Sequence, residues 1–192
     1  RINETNFPKE LEKIGMVTDA LWDDFNGDGK TDLIVIGEWM PPRFYELKNN
    51  TWEESFPLKE KLNGLWQTMI PFDMDGDGDQ DYLLGNWGLN SKFKASSTFP
   101  MKMYYADFEK NGKYYPLLGL DDLAGQMVFL RKKFNTYKDF AGKTMEEIFG
   151  DKLNKATIFE VHTLASGFLR NNKGSFTFVS FANDKSLCGF RF

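Results

Sequence analysis

Five carboxylates fall within nine residues at Asp73, Asp75, Asp77, Asp79 and Asp81, and nearly the same spacing occurs earlier at Asp24, Asn26, Asp28 and Asp32. Like charges packed this closely raise one another's energy, so a positive charge has to sit among them when the loop folds tightly. The two copies stand 49 residues apart (73 minus 24). A period of about 40 to 50 residues with strand-like filling is that of propeller blades or related arrays. In both copies an apolar or alternating run precedes the acidic loop, at 16–22 and 66–72, and another follows it. Each unit therefore reads as strand, acidic loop, strand.

The alternation of donors fits a hard cation. Calcium takes about six to eight oxygen ligands, and side chains at positions 1, 3 and 5 of a tight loop can converge on one point. Position 7 would offer its backbone carbonyl, Lys30 in the first loop and Asp79 in the second. Gly29 and Gly78, at position 6, permit the sharp turn. A helix-flanked EF-hand would need a bidentate Glu at position 12, where this chain has Val35 and Leu84, both apolar. The loop instead closes at position 9 on Asp32 and Asp81. The expected metal ligands are thus Asp24, Asn26, Asp28, Lys30 and Asp32 in one loop and Asp73, Asp75, Asp77, Asp79 and Asp81 in the other. Magnesium, which demands near-octahedral geometry, suits them less. A third segment keeps the early positions as Asp107, Glu109, Asn111 and Gly112 but has Tyr115 where the closing Asp belongs.

The remaining strand signals are at 43–47 and 51–54 around a Lys48-Asn49-Asn50 turn, then 81–87, 101–108, 114–118, 158–164, 167–170 and 175–181, the last two joined by a turn at 171–174. Between them Leu123, Met127, Leu130 and Phe134 recur at helical spacing, and Thr144 with Glu147 forms a capping-box pattern, so two short helices are expected within 121–153. The fold class is all-β: a partial β-propeller of antiparallel four-stranded blades with a short helical insertion. The expected boundaries are the end of a preceding blade at 1–13, blades at 14–63 and 64–120, and a blade at 121–192 carrying the helical insert.

Composition removes several functions. The net charge is -4 and the bases form no long cluster, so nucleic-acid binding has little electrostatic support. Arg131, Lys132, Lys133 and Lys138 read as a solvated helix face. No apolar run approaches the about 18 residues of a membrane-spanning helix. The one cysteine, Cys188, cannot form an internal disulfide, and the one histidine, His162, does not make a zinc centre; both read as structural. The chain begins at Arg1 without an apolar leader and reads as a mature or excised piece.

The acidic loops, followed by apolar runs ending at Gly37 and Gly85, resemble the FG-GAP or VCBS repeats of integrin-type β-propellers. The segments Gly15 to Ala20, Gly37 to Pro41, Gly85 to Ser91 and Lys133 to Asp139 look like a bacterial branch of those repeats, related to the cartilage acidic protein and ASPIC/UnbV group. The resemblance implies propellers of exported proteins with calcium held between the first two strands of a blade. With only three or four blades' worth of sequence, an open arc or self-association through unpaired edges is expected. The function expected is a calcium-binding scaffold, extracellular, periplasmic or at the cell surface, for recognition, adhesion or assembly with a protein or glycan ligand. The alternative is a glycan-active enzyme or glycan-binding module. Trp39, Trp66 and Trp87 would stack on sugars, and Glu38 is the acid outside the loops that could serve catalysis. Repetition of Trp39 and Trp87 after the two loops favours core packing instead.

Overall fold

The run Leu33 to Ile36 forms the centre of a strand buried on both faces, and the first half of the molecule assembles around it. The computed structural model describes residues 9–49, 51–118, 130, 134, 136–140 and 142–181. In chain order the strands are β1 (Met16–Asp23), β2 (Asp32–Met40), β3 (Arg43–Lys48), β4 (Thr51–Ser55), β5 (Gly64–Leu65), β6 (Thr68–Phe72), β7 (Asp81–Gly85), β8 (Met101–Ala106) and β9 (Tyr115–Leu117). After them come helices α1 (Tyr137–Phe140) and α2 (Met145–Phe149), then β10 (Thr157–Val161), β11 (Gly167–Asn172) and β12 (Ser175–Ser180). The chain divides into one unit of residues 1–101 with 161–192 and a second of residues 102–160.

The first unit contains two antiparallel sheets. One is ordered β1-β2-β3-β4 with β5 beside β2; the other is ordered β12-β11-β7-β6. The 49-residue period is written into their registers. Asp23 pairs with Asp32, Leu21 with Ile34 and Asp19 with Ile36 in the first sheet. Phe72 pairs with Asp81, Ile70 with Leu83 and Thr68 with Gly85 in the second, every residue being 49 further on. Packing follows the same period. Ile34, Ile36 and Phe44 lie in one core with Trp66, Met69, Tyr82, Leu84, Leu169 and Phe176. Subtracting 49 from Met69, Tyr82 and Leu84 gives Ala20, Leu33 and Val35, and Leu33 and Val35 belong to the opposite face of the first sheet, with Met40, Tyr45 and Trp52. The front of one sheet therefore meets the back of the next, as a rotationally repeated array requires. Each large apolar side chain buried there contributes about 1.5–3 kcal/mol by area transfer.

The expected second blade at 64–120 and third at 121–192 do not correspond to the sheets. β7 takes its outer partners from β11 and β12, with Leu83 opposite Phe168 and Tyr82 opposite Leu169. The physical reason is burial on both faces. β7 needs a neighbour apolar on both sides, which Phe168 and Leu169 supply, both fully buried. In β8 each face mixes buried and exposed residues, Met103 with Tyr105 on one and Tyr104 with Lys102 on the other. Of the segment expected to end a preceding blade, residues 9–13 form a 3-10 turn, and Leu11 and Ile14 pack on the back of the first sheet. Residues 1–8 lie outside the described residues.

The second unit holds the sheet β10-β8-β9. Its core joins Tyr104, Phe108 and Leu117 with Leu130, Ile148 and Phe149. The expected capping box is present: Glu147 N donates to Thr144 Oγ1, and Thr144 N donates to Glu147 Oε2. Phe134 N donates to Leu130 O at 2.8 Å, as the helical spacing predicts. Leu123, Met127, Arg131, Lys132, Lys133 and Cys188 lie outside the described residues. No helix among the described residues is long and apolar enough to cross a membrane.

Candidate metal centre

Each acidic loop closes a hairpin with the same register. The first lies between β1 and β2 above the pair Asp23 and Asp32, the second between β6 and β7 above Phe72 and Asp81. Both depend on left-handed backbone at glycine, with φ of 72° and 82° at Gly27 and Gly29 and of 76° and 92° at Gly76 and Gly78. A Cβ at any of these four would meet no atom within 4 Å, so conformation and not space demands glycine.

The position-1 carboxylate organises the turn. Asp24 accepts from Asp28 N at 3.0 Å and from Gly29 N at 2.8 Å. Asp73 accepts from Gly76 N at 2.8 Å and Gly78 N at 3.1 Å. Position 5 receives the position-7 amide in both loops, Lys30 N to Asp28 Oδ1 and Asp79 N to Asp77 Oδ1, each at 2.9 Å. Asn26 Oδ1 accepts from Asp28 N at 2.9 Å.

Beyond this shared frame the loops diverge. In the second, carboxylate oxygens of Asp73, Asp75 and Asp81 lie within 4.8 Å of one another, a spacing that could hold a metal ion. Asp77 is not among these three, its Oδ1 accepting from Asp79 N, and Asp79 Oδ2 accepts from Lys173 N at 3.1 Å. That leaves its backbone carbonyl as the expected donor. Arg170 Nε lies 3.8 Å from Asp75 Oδ2. In the first loop no such acidic trio forms among the described residues. Asp28 turns to Lys30, whose Nζ stands 3.1 Å from Oδ2, and this bond together with the Lys30 amide holds its carboxyl below the usual value.

Asp32 closes the first loop from inside the fold. It is 1% exposed, and its Oδ2 has no hydrogen-bond partner. Burial pushes its carboxyl up to about 6, against a backbone hydrogen bond from Leu47, and the charges of Asp28, Glu46 and Asp24 add to the rise. A buried carboxylate oxygen left without a donor is what a cation would satisfy, so the chemistry of Asp32 fits a calcium ligand. Asp81 is also buried but is partnered, accepting from Met74 N and Asn171 N.

The third segment has the same frame in the second unit. It closes β8 and β9 above Ala106 and Tyr115. Asp107 accepts from Asn111 N at 3.0 Å and Gly112 N at 2.8 Å, and Lys113 N donates to Asn111 Oδ1. Desolvation opposes ionisation of Asp107, yet amides from Gly112, Asn111, Lys110 and Glu109 outweigh it and hold its carboxyl below the usual value. Tyr115 supplies no closing carboxylate, and Glu109 accepts from Asn111 Nδ2 at 3.2 Å.

The residues considered for sugar chemistry are dispersed. Glu38 Oε1 accepts from Gln67 Nε2 at 2.8 Å. Trp39 and Trp66 are buried, Trp66 donating Nε1 to Leu62 O, while Trp87 is 47% exposed beside Phe93. Trp39 and Trp87 are not equivalent. The register maps Trp39 onto Gly88, and both have positive φ, 62° and 86°. His162 is buried, its N donating to Asn63 O. Sequence reasoning missed the turn of β11 and β12 as a loop neighbour, although its Asn-Asn-Lys-Gly signature was visible; the partner lies about 90 residues from the second loop.

Residues 24–84 match the FG-GAP-like repeat, a span containing both acidic loops, and this supports the repeat family. Such repeats are often extracellular adhesion or ligand-binding domains. No curated protein and no solved structure matches the chain.

Proposed function

We propose that the chain is a calcium-stabilised recognition scaffold built from propeller-type blades, working outside the cell, at its surface or in the periplasm. The observation that carries this reading is the convergence of Asp73, Asp75 and Asp81 within 4.8 Å in a loop whose frame is repeated 49 residues earlier. The buried, unpartnered Asp32 oxygen supports it in the first loop. Asp24, Asn26, Asp28, the Lys30 carbonyl and Asp32 would hold one ion, and Asp73, Asp75, Asp77, the Asp79 carbonyl and Asp81 the other. When bound, the ion would supply charge neutralisation and fix the loop. Two calcium ions would offset a formal net charge of -4. The strands would then present their connecting loops to a ligand.

Melting with and without a chelator tests this. At a calcium concentration about 100 times Kd the fold should gain about 2.7 kcal/mol. An unchanged melting temperature at millimolar calcium would contradict the assignment.

A glycan-binding variant of the reading rests on Trp87, exposed next to Phe93 and Lys92, whose Nζ stands 5.3 Å from the Phe93 ring centre. Titration of oligosaccharides against tryptophan fluorescence, with Trp87→Ala as control, separates it from a scaffold for protein ligands.

A further inference from the structure

The hairpin turn between β11 and β12 reaches both acidic loops of the first unit. Asn171 is 5% exposed, and its Nδ2 donates to Phe25 O at 3.0 Å and to Gln80 O at 3.1 Å. Its Oδ1 accepts from Gly174 N at 2.8 Å, so both amide hydrogens and the carbonyl are engaged. Its own N donates to Asp81 Oδ1 at 2.7 Å, and Lys173 N donates to Asp79 Oδ2. Phe25 lies between Asp24 and Asn26, and Gln80 between Asp79 and Asp81. One amide thus ties the backbone between two donor positions of the first loop to the backbone between two donor positions of the second. The turn itself is stiff. Lys173 and Gly174 have φ of 52° and 82°, the two-residue pattern whose twist matches its strands. Gly174 also lies against the first loop, where an added Cβ would stand 3.1 Å from Asn26 Cβ.

We propose that Asn171 is a positioning residue that couples the two loops, so that an ion held in one raises the calcium affinity of the other. The inference rests on the calcium reading above. An ion in either loop restrains Asp24 and Asn26 or Asp79 and Asp81, and through Asn171 restrains the opposite loop's backbone. The second ion then has less freedom to remove. Such coupling is reciprocal.

The test uses the full chain after chelator treatment and calcium titration by calorimetry. Loop one is disabled with Asp24→Ala and loop two with Asp73→Ala, each in the Asn171 and Asn171→Ala backgrounds. With Asn171 present, disabling either loop should weaken the other by at least about fivefold. With Asn171→Ala the effect should fall below about twofold, the range of independent sites. Circular dichroism without calcium establishes that the variant is folded. Where it is not, Gly174→Ala, strained at a φ of 82° and 3.1 Å from Asn26 Cβ, deforms the same turn without supplying or removing a ligand, and should weaken the first loop's calcium binding. Equal coupling with and without Asn171, independent loops in the parent, or an unchanged first loop in Gly174→Ala would overturn the proposal. Independent binding of two ions would leave the calcium reading standing, whereas absence of any calcium heat in the parent would overturn both.

Discussion

The first and second acidic loops occupy the same register of successive sheets, yet they handle their charge in different ways. The first buries its anchor and neutralises itself in part: Phe25, at position 2, is 1% exposed, and Lys30 pairs with Asp28. The second has Met74 at that position, half-buried, and places three carboxylates together. A similar backbone frame therefore does not fix the electrostatics; the side chains at positions 2, 3 and 7 do. The first loop is held mainly by the core and the second by its neighbours, Arg170, Asn171 and Lys173.

Breaking the core anchor should have the largest effect. Phe25 packs 5.1 Å from Phe44 and 6.1 Å from Phe176 by ring centres. Phe25→Ala should cost about 3–5 kcal/mol in chemical denaturation, the usual range for a buried aromatic. Met74→Ala, half-buried at the same position, should cost clearly less. Equal losses would mean that the two loops are anchored alike.

Next comes the calcium response. Asp75 adds a negative charge where the first loop has Asn26, and affinity rises with ligand charge at similar rigidity. Asp73→Ala should therefore remove more of the calcium-dependent melting shift than Asp24→Ala. The reverse order would show that the core-held geometry of the first loop outweighs charge.

The pH dependence sharpens the comparison further. The Asp32 carboxyl is raised from 3.8 to about 6 by burial, so the folded protein holds that proton more tightly than the unfolded chain. This contribution is complete below the unfolded value and is lost as pH rises through about 6. Metal-free protein should consequently lose melting temperature between about pH 4 and 6, and Asp32→Asn should flatten the slope. Calcium requires the ionised form, so its stabilising effect should grow over the same interval. Melting curves in chelator and in calcium check both signs.

The smallest effect should come from Lys30→Gln. The pair with Asp28 is exposed, and such pairs contribute little. Metal-free melting should stay unchanged, while first-loop calcium binding tightens slightly with one positive charge removed. A marked loss of stability would show that Lys30 substitutes for the ion.

Local chemistry was legible in the sequence wherever a motif spans adjacent residues. The acidic spacing located three hairpin loops with one backbone frame, and Thr144 with Glu147 located a cap. Strand partners distant in sequence were not legible. Nothing local to Tyr82 and Leu83 says that Leu169 and Phe168, across an excursion of residues 102–160, will pair with them in preference to β8. The burial of Asp32 was hidden for the same reason, since it depends on β2 lying between two packed faces. The offset of 48 between Trp39 and Trp87 looked like the repeat, but the register assigns Gly88 to the position of Trp39.

Calorimetric titration of calcium into chelator-treated protein tests the central claim most directly. The account predicts about two sites, with one lost in Asp73→Ala and the other in Asp24→Ala. No heat in the parent, together with no shift in its melting temperature at millimolar calcium, would contradict it.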